Sequence, residues 1–299
     1  MDLFPRTTVG GLSVSRLVIG TNWFLGYSHC TLAKDAFIKG HFTETEKITE
    51  ILEVFFRAGV DTVIGPFQGS IAPDSLDLLG AIRRAEDSTG VGAKIISTPT
   101  FPTTPDTPVL GFDRDAVNRI LDIEKEVGSH ILMPHTNTTD VMVDRCTHEI
   151  RQMAAVCEAI RERDMIPGLS THLPEAIVYA DESGLDVETY ISIFNSAGFL
   201  MPLEVDWTQQ IIHRAKNPVL TIKPLAAGQL RPLQGLTFSW NAIRDQDMIA
   251  VGTMTPREAE EIIALSLDIL ERRPGSVGLQ ETRSKASVKP MAPNVDFIN

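Results

Sequence analysis

The sequence has no long hydrophobic run: no apolar stretch in its 299 residues approaches the roughly 20 that a membrane span requires. A bilayer-crossing helix is therefore not expected. Cysteine is scarce as well. Cys30, Cys146 and Cys157 form no C-x-x-C pair, which argues against a zinc-ribbon spacing or a disulfide framework and agrees with a reducing compartment. Cys146 and Cys157 read as packing residues within one helix. Positive charge is in deficit: 27 Lys and Arg against 39 Asp and Glu leave a formal net charge of -12. A general nucleic-acid surface needs clustered cations to neutralise phosphates, so none is expected. The opening MDLFPRTTVGGLSVSR lacks the basic start, apolar stretch and cleavage site of a secretory signal, and the expected location is the cytoplasm. The expected partner is a small molecule, with neither nucleic acid nor membrane.

What is present is a rhythm. Short β-branched runs alternate with longer amphipathic segments to the end of the chain. Strands are expected at 16–20, 60–64, 93–97, 130–133, 165–170, 187–193, 219–223 and 247–252. Between them the spacing predicts helices, among them 43–59 capped by Thr43 or Thr45, 72–87, 113–128, 143–164 and 255–273. The helix after the seventh strand, around 233–244, is short and begins in a Pro/Gly-rich stretch. Eight strand-then-helix units without a G-x-G-x-x-G after the first strand fit a single (β/α)8 TIM barrel spanning 1–299 better than an open doubly wound sheet. Residues 21–44 are too long for an ordinary strand-to-helix connection and read as a lid-like loop. Residues 273–299 lack periodicity and read as a tail lying against the barrel or partly mobile.

Barrel enzymes work at the carboxyl ends of their strands, which selects the polar residues there. His135 closes the short apolar run HILMPH, where an imidazole can serve as acid or base or simply bond to backbone. His172 follows the fifth strand, with a capping role for its neighbour Thr171 as the plain alternative. Asn22, Trp23, His29, Gln68 and Asn195 are candidate substrate contacts. Lys223 ends a strand, where it would meet a phosphate, form a Schiff base, or make an ion pair at the rim. His29, His135 and His172, with Asp35 or Glu204, form an alternative set for a divalent metal, although no H-x-H or H-E-x-x-H spacing supports it.

Four stretches carry a family likeness: GGLSVSRLVIGTNWF (10–24), GLSTHLPEAI (168–177), LTIKPLAAGQL (220–230) and AVGTMTPREAEEIIALSL (250–267). Together they resemble the aldo-keto reductases, barrel enzymes that use a nicotinamide cofactor. The resemblance implies NADP or NAD held by the loops after the last two strands, here Lys223, Leu225, Gly228, Gly252, Thr253, Thr255 and Arg257; a sugar phosphate would suit the same parts. It also implies an Asp–Tyr–Lys–His tetrad, of which only the histidine has a counterpart, His135. The aspartate position falls on Ile64, the tyrosine among Phe67, Gln68 and Gly69, and the lysine near Pro99. Tyr27 is the one phenol that would replace the missing proton donor. Three readings follow. The first is an enzyme acting on a small carbonyl, polyol or sugar-like compound, with His135 as acid–base group. The second is a metal- or acid–base-dependent lyase, isomerase or epimerase without nicotinamide, and the third a non-catalytic ligand-binding barrel.

Overall fold

Four-residue β-branched segments such as TVIG and VLTI cannot bury both faces alone, and the chain arranges them side by side so that each has a neighbour on both edges. In the computed structural model, which describes residues 3–67 and 76–279, the chain opens with a hairpin, β1 (Arg6–Val9) and β2 (Leu12–Ser15). Gly10 and Gly11 connect its strands with φ of +54° and +83°, the positive angles that a two-residue hairpin turn demands. There follow β3 (Leu17–Gly20), β4 (Thr62–Gly65), β5 (Lys94–Ser97), β6 (Ile131–Leu132), a small hairpin β7 (Val143–Asp144) and β8 (Glu149–Ile150), and then β9 (Ile166–Pro167), β10 (Leu169–Ser170), β11 (Tyr190–Ile193), β12 (Val219–Ile222) and β13 (Met248–Val251).

The main sheet runs β10-β11-β12-β13-β3-β4-β5-β6-β9, every pair parallel. Its two ends, β9 and β10, are consecutive halves of one strand separated only by Gly168. The sheet therefore closes on itself as a (β/α)8 barrel. A side chain at Gly168 would meet Met133 and Thr189 atoms at 2.9 Å, so glycine permits the close approach at the seam.

Alternation along the strands sorts their side chains. Val18, Ile64, Ile96, Ile131, Leu220 and Met248 point inward and pack with Val9 and Val14 of the first hairpin, which plugs the amino-terminal end of the barrel. Leu17, Ile19, Val63 and Ile95 point outward into the larger core beneath the helices. With one end plugged by apolar side chains, a ligand has access only from the other.

The helical layer follows the sequence pattern closely in places. Helix α2 (Thr45–Arg57) buries Ile48, Ile51, Leu52, Phe55 and Phe56, the i, i+3, i+4, i+7, i+8 stripe of an amphipathic helix. Truncating Phe55 there would cost about 3–5 kcal/mol. Its cap is Glu44, without a side-chain bond, rather than Thr43 or Thr45. Helix α3 (Leu78–Thr89) starts later than expected, capped by Asp77. Helices α4 (Thr107–Leu110), α5 (Arg114–Val127) and α6 (Thr136–Thr139) precede the largest correction. The helix expected over 143–164 is only α7 (Met153–Arg161); the β7–β8 hairpin takes Val143–Ile150. Asp144 accepts the backbone N–H of Cys146 at 2.8 Å and ion-pairs with Arg151, which locks the turn. Cys146 is consequently exposed, while Cys157 is buried in α7 as expected. Helices α8 (Glu175–Ser183), α9 (Val205–Arg214), α10 (Pro232–Ala242) and α11 (Pro256–Leu270) complete the ring. No helix among the described residues is long and apolar enough to cross a membrane. The tail expected at 273–299 is described only to residue 279, without helix or strand.

Candidate active site

At the carboxyl ends of the strands lies a cavity of about 480 Å³. His135, His172, Lys223, Asn22, Trp23 and His29 line it, as do Leu225, Gly228 and Gly252. The sequence thus brings together residues separated by 230 positions, from Asn22 to Gly252. Gln68 falls outside the described residues.

The 21–44 segment is a folded cover rather than a loop. It contains α1 (Leu32–His41), capped by Thr31. Phe24 and Phe42, both buried, meet edge-to-face at 5.3 Å beneath it. Asp35 accepts hydrogen bonds from the Ser28 N–H at 2.8 Å and hydroxyl at 2.5 Å, and His41 Nε2 donates to the Met254 carbonyl at 2.7 Å. These bonds tie the cover to its own turn and to the loop after β13. His29 Nε2 lies 2.8 Å from the Asn22 amide nitrogen at the cavity rim.

His135 takes the backbone-bonding role weighed for it and also lines the cavity. Its Nδ1 accepts the Asn137 N–H at 3.2 Å, capping α6. An acceptor at Nδ1 must carry a lone pair, so the neutral ring holds its proton on Nε2, the nitrogen left for the cavity. Burial, then the Lys223 charge, hold His135 below the ordinary imidazole range, with Asp140 partly offsetting them. Burial, then Lys223 and the two other histidines, push His172 down to about 4. His29 is lowered by burial and Lys223 in the same way. All three rings are held toward the neutral form. Lys223 itself is lowered to about 8 by burial.

Asp140 organises this corner. Its carboxylate accepts the hydroxyls of Thr136 and Thr171, each at 2.6 Å, and the His172 N–H at 3.2 Å. The loop after β10 is thereby pinned to the turn that carries His135. Thr171 does double duty, since its hydroxyl also receives the Leu173 N–H at 2.9 Å. Asp140 was not singled out from sequence, although a carboxylate one turn after a strand-end histidine was the available signal. Thr98 and Ser170, at the ends of their strands, and Asn137 also line the cavity and were passed over.

Other expected residues lie elsewhere. Tyr27 is 55% exposed and does not line the cavity, which removes it as a replacement proton donor. Asn195 is fully buried and closes its own loop, donating to the Phe199 carbonyl at 3.0 Å and accepting the Phe199 N–H at 2.9 Å. Thr253 is buried and does not line the cavity, Thr255 caps α11 by accepting the Glu258 N–H at 3.1 Å, and Arg257 is exposed. Among the described residues no group of three His, Cys, Asp or Glu is placed to hold a metal, so His29, His135 and His172 share a cavity without forming a ligand set.

No family model matches the chain, and no curated protein does. Solved structures do. A Pseudomonas aeruginosa protein named provisionally as an aldo-keto reductase superposes with a TM-score of 0.61 at 17% identity, covering 90% of this chain and 97% of its own. A second structure from that organism, similarly named, gives 0.61 at 14% identity over 90% and 97%. The Amycolatopsis orientalis BexX/CysO complex gives 0.55 at 14%, over 93% and 99%. The fold resembles that of the aldo-keto reductases. At these identities the likeness speaks for the barrel alone.

Proposed function

We propose that the protein is an enzyme that binds a small hydroxylated carbonyl compound at the open end of the barrel and moves protons beside its carbonyl group. The observation that carries this reading is the convergence of His135, His172 and Lys223 on one cavity that no carboxylate of the described residues lines. His135 Nε2–H donates to the carbonyl oxygen and stabilises the negative charge that develops there when an adjacent proton leaves. His172, neutral at ordinary pH, takes up and returns that proton. Thr98, Ser170 and Asn137 have side chains without a hydrogen-bond partner among the described residues, and they meet substrate hydroxyls. An acid–base isomerase, epimerase or lyase on a sugar-like compound is the reaction class that this set supports best.

Nicotinamide chemistry has less support. A pyrophosphate needs free N–H donors and positive charge. In the loop after β12, the N–H groups of Ala226, Gly228, Gln229 and Leu230 bond within the loop. At the start of α11, Glu258 accepts the Met254 N–H at 2.7 Å and sets a carboxylate where a phosphate would lie. These residues do not fit a dinucleotide.

The test is exchange of carbonyl-adjacent protons in D2O, followed by NMR with dihydroxyacetone, glyceraldehyde and pyruvate. The reading predicts exchange above the rate in buffer, and a loss of about 10²- to 10³-fold in His135→Ala. Exchange no faster than in buffer for every compound would overturn it.

A further inference from the structure

Lys223 shares the cavity with the two histidines but transfers no proton in the scheme above, and its surroundings are unusual for a lysine. The chain carries 39 acidic residues and a net charge of -12, yet among the described residues no Asp or Glu lines the cavity that Lys223 also lines. Its ammonium makes no hydrogen bond or ion pair among the described residues, so the rim ion pair that would explain a strand-end lysine is absent. A lysine held for structure would have such a partner, because an unpaired buried charge is costly.

The backbone that presents it is also strained. Lys223 has φ of +61°, and Ala226 and Ala227 follow at +48° and +55°. Residues with a Cβ rarely adopt this left-handed region, each at a cost that the surrounding structure must sustain. Here the Lys223 carbonyl accepts the Ala226 N–H at 2.9 Å and the Leu225 carbonyl accepts the Gly228 N–H at 2.9 Å, which hold the tight turn. The turn fixes Lys223 at the cavity wall immediately after β12 instead of letting it escape to solvent.

We infer that Lys223 is a nucleophile that forms an imine with the carbonyl carbon of the substrate. The inference rests on the carbonyl reading above and supplies the step that the histidines lack. The neutral Nζ adds to the carbonyl carbon, a C–N bond forms, and one N–H proton passes to the former carbonyl oxygen. That hydroxyl takes a second proton and departs as water, leaving a protonated imine. Overall an ammonium and a carbonyl become an iminium and a water, and nothing is oxidised or reduced. His135 Nε2–H steadies the oxygen during addition, and His172 carries the proton to the departing hydroxyl. The iminium then withdraws electrons from the adjacent carbon, so that a C–H or C–C bond there breaks without metal or nicotinamide. Burial favours the amine form that the first step requires: with Lys223 at about 8, about a tenth of the molecules carry a neutral amine at pH 7.

Reductive trapping tests this. The full chain is incubated separately with dihydroxyacetone, glyceraldehyde and pyruvate in the presence of sodium cyanoborohydride, and the adduct is read by intact mass and peptide mapping. The expected result is one dominant adduct on Lys223, lost in Lys223→Met and in Lys223→Arg. Arginine keeps a positive charge but is not a nucleophile, so its failure separates covalent chemistry from simple attraction. Adducts spread over exposed lysines, at equal rates in wild type and both variants, would overturn the inference. Proton exchange measured on the same samples separates the two ideas. Exchange without a Lys223 adduct sinks the imine and leaves the carbonyl reading standing; absence of both sinks the two together.

Discussion

Asp140 holds Thr171 through a 2.6 Å hydrogen bond between Oδ1 and the threonine hydroxyl, while its second oxygen holds Thr136 at 2.6 Å. One carboxylate thus joins the turn that begins at His135 to the loop that carries His172. It touches neither ring as a ligand would; it sets where both stand.

Replacing Asp140 should therefore loosen both histidines at once. Asp140→Ala is expected to lower stability by about 2–3 kcal/mol, since it removes the hydrogen bonds that the Thr136 and Thr171 hydroxyls and the His172 N–H donate to a charged group. Asp140→Asn, which retains one acceptor oxygen, should recover part of that loss and part of any proton-exchange activity. Urea unfolding followed by circular dichroism measures the first effect. Equal stabilities for wild type and Asp140→Ala would refute the pin.

The pH dependence of stability should carry the signature of His172. Its folded value of about 4 lies below the ordinary 6.5, so the unfolded chain takes up a proton that the folded protein refuses. The associated stability is fully present above pH 6.5 and is lost as pH falls toward 4. Melting temperatures measured across that window should drop more steeply for wild type than for His172→Asn. Parallel curves would show that the ring is not desolvated as described.

Lys223 works in the same sense over a higher pH window. Its folded value of about 8 lies below the ordinary 10.5, so the stability linked to it is complete only above pH 10.5 and is lost as pH falls through 8. At pH 7 the folded protein bears the cost of a buried ammonium. Lys223→Met, which keeps the alkyl stem, is expected to gain about 1–3 kcal/mol at pH 7, with the gain shrinking as pH approaches 10. Denaturant midpoints at the two pH values decide this, and a destabilised Lys223→Met would mean that the ammonium has a partner.

Titration with NADPH and NADH, followed by nicotinamide fluorescence, should show no saturable binding. The carboxylate of Glu258 at the start of α11 and the self-satisfied loop after β12 predict this outcome. Saturable binding of either nucleotide would return the hydride-transfer reading to the front.

Much of the barrel was legible in the chain because alternation and helical spacing are local signals. The stripe of α2 and the starts of the helices expected at 113 and 255 appear where the pattern puts them. The β7–β8 hairpin was not legible, because Val143, Ile150 and Met153 continue a helical spacing, whereas the turn is decided by the Asp144 side chain bonding to backbone and to Arg151. The site divides in the same way. His135, His172 and Lys223 follow from their places at strand ends. Asn195 shares such a place and Tyr27 lies in the 21–44 segment, but their side-chain directions depend on loop geometry: Tyr27 turns to solvent and Asn195 closes its own loop. That no carboxylate of the described residues lines the cavity beside Lys223 is a property of the assembled cavity, and no single segment announces it.

The most direct measurement compares deuterium exchange into dihydroxyacetone by wild type, His135→Ala and Lys223→Met under one set of conditions. The account predicts exchange in wild type and a drop of about 10²-fold or more in each variant, with both variants folded. Exchange at the wild-type rate in either variant would contradict it.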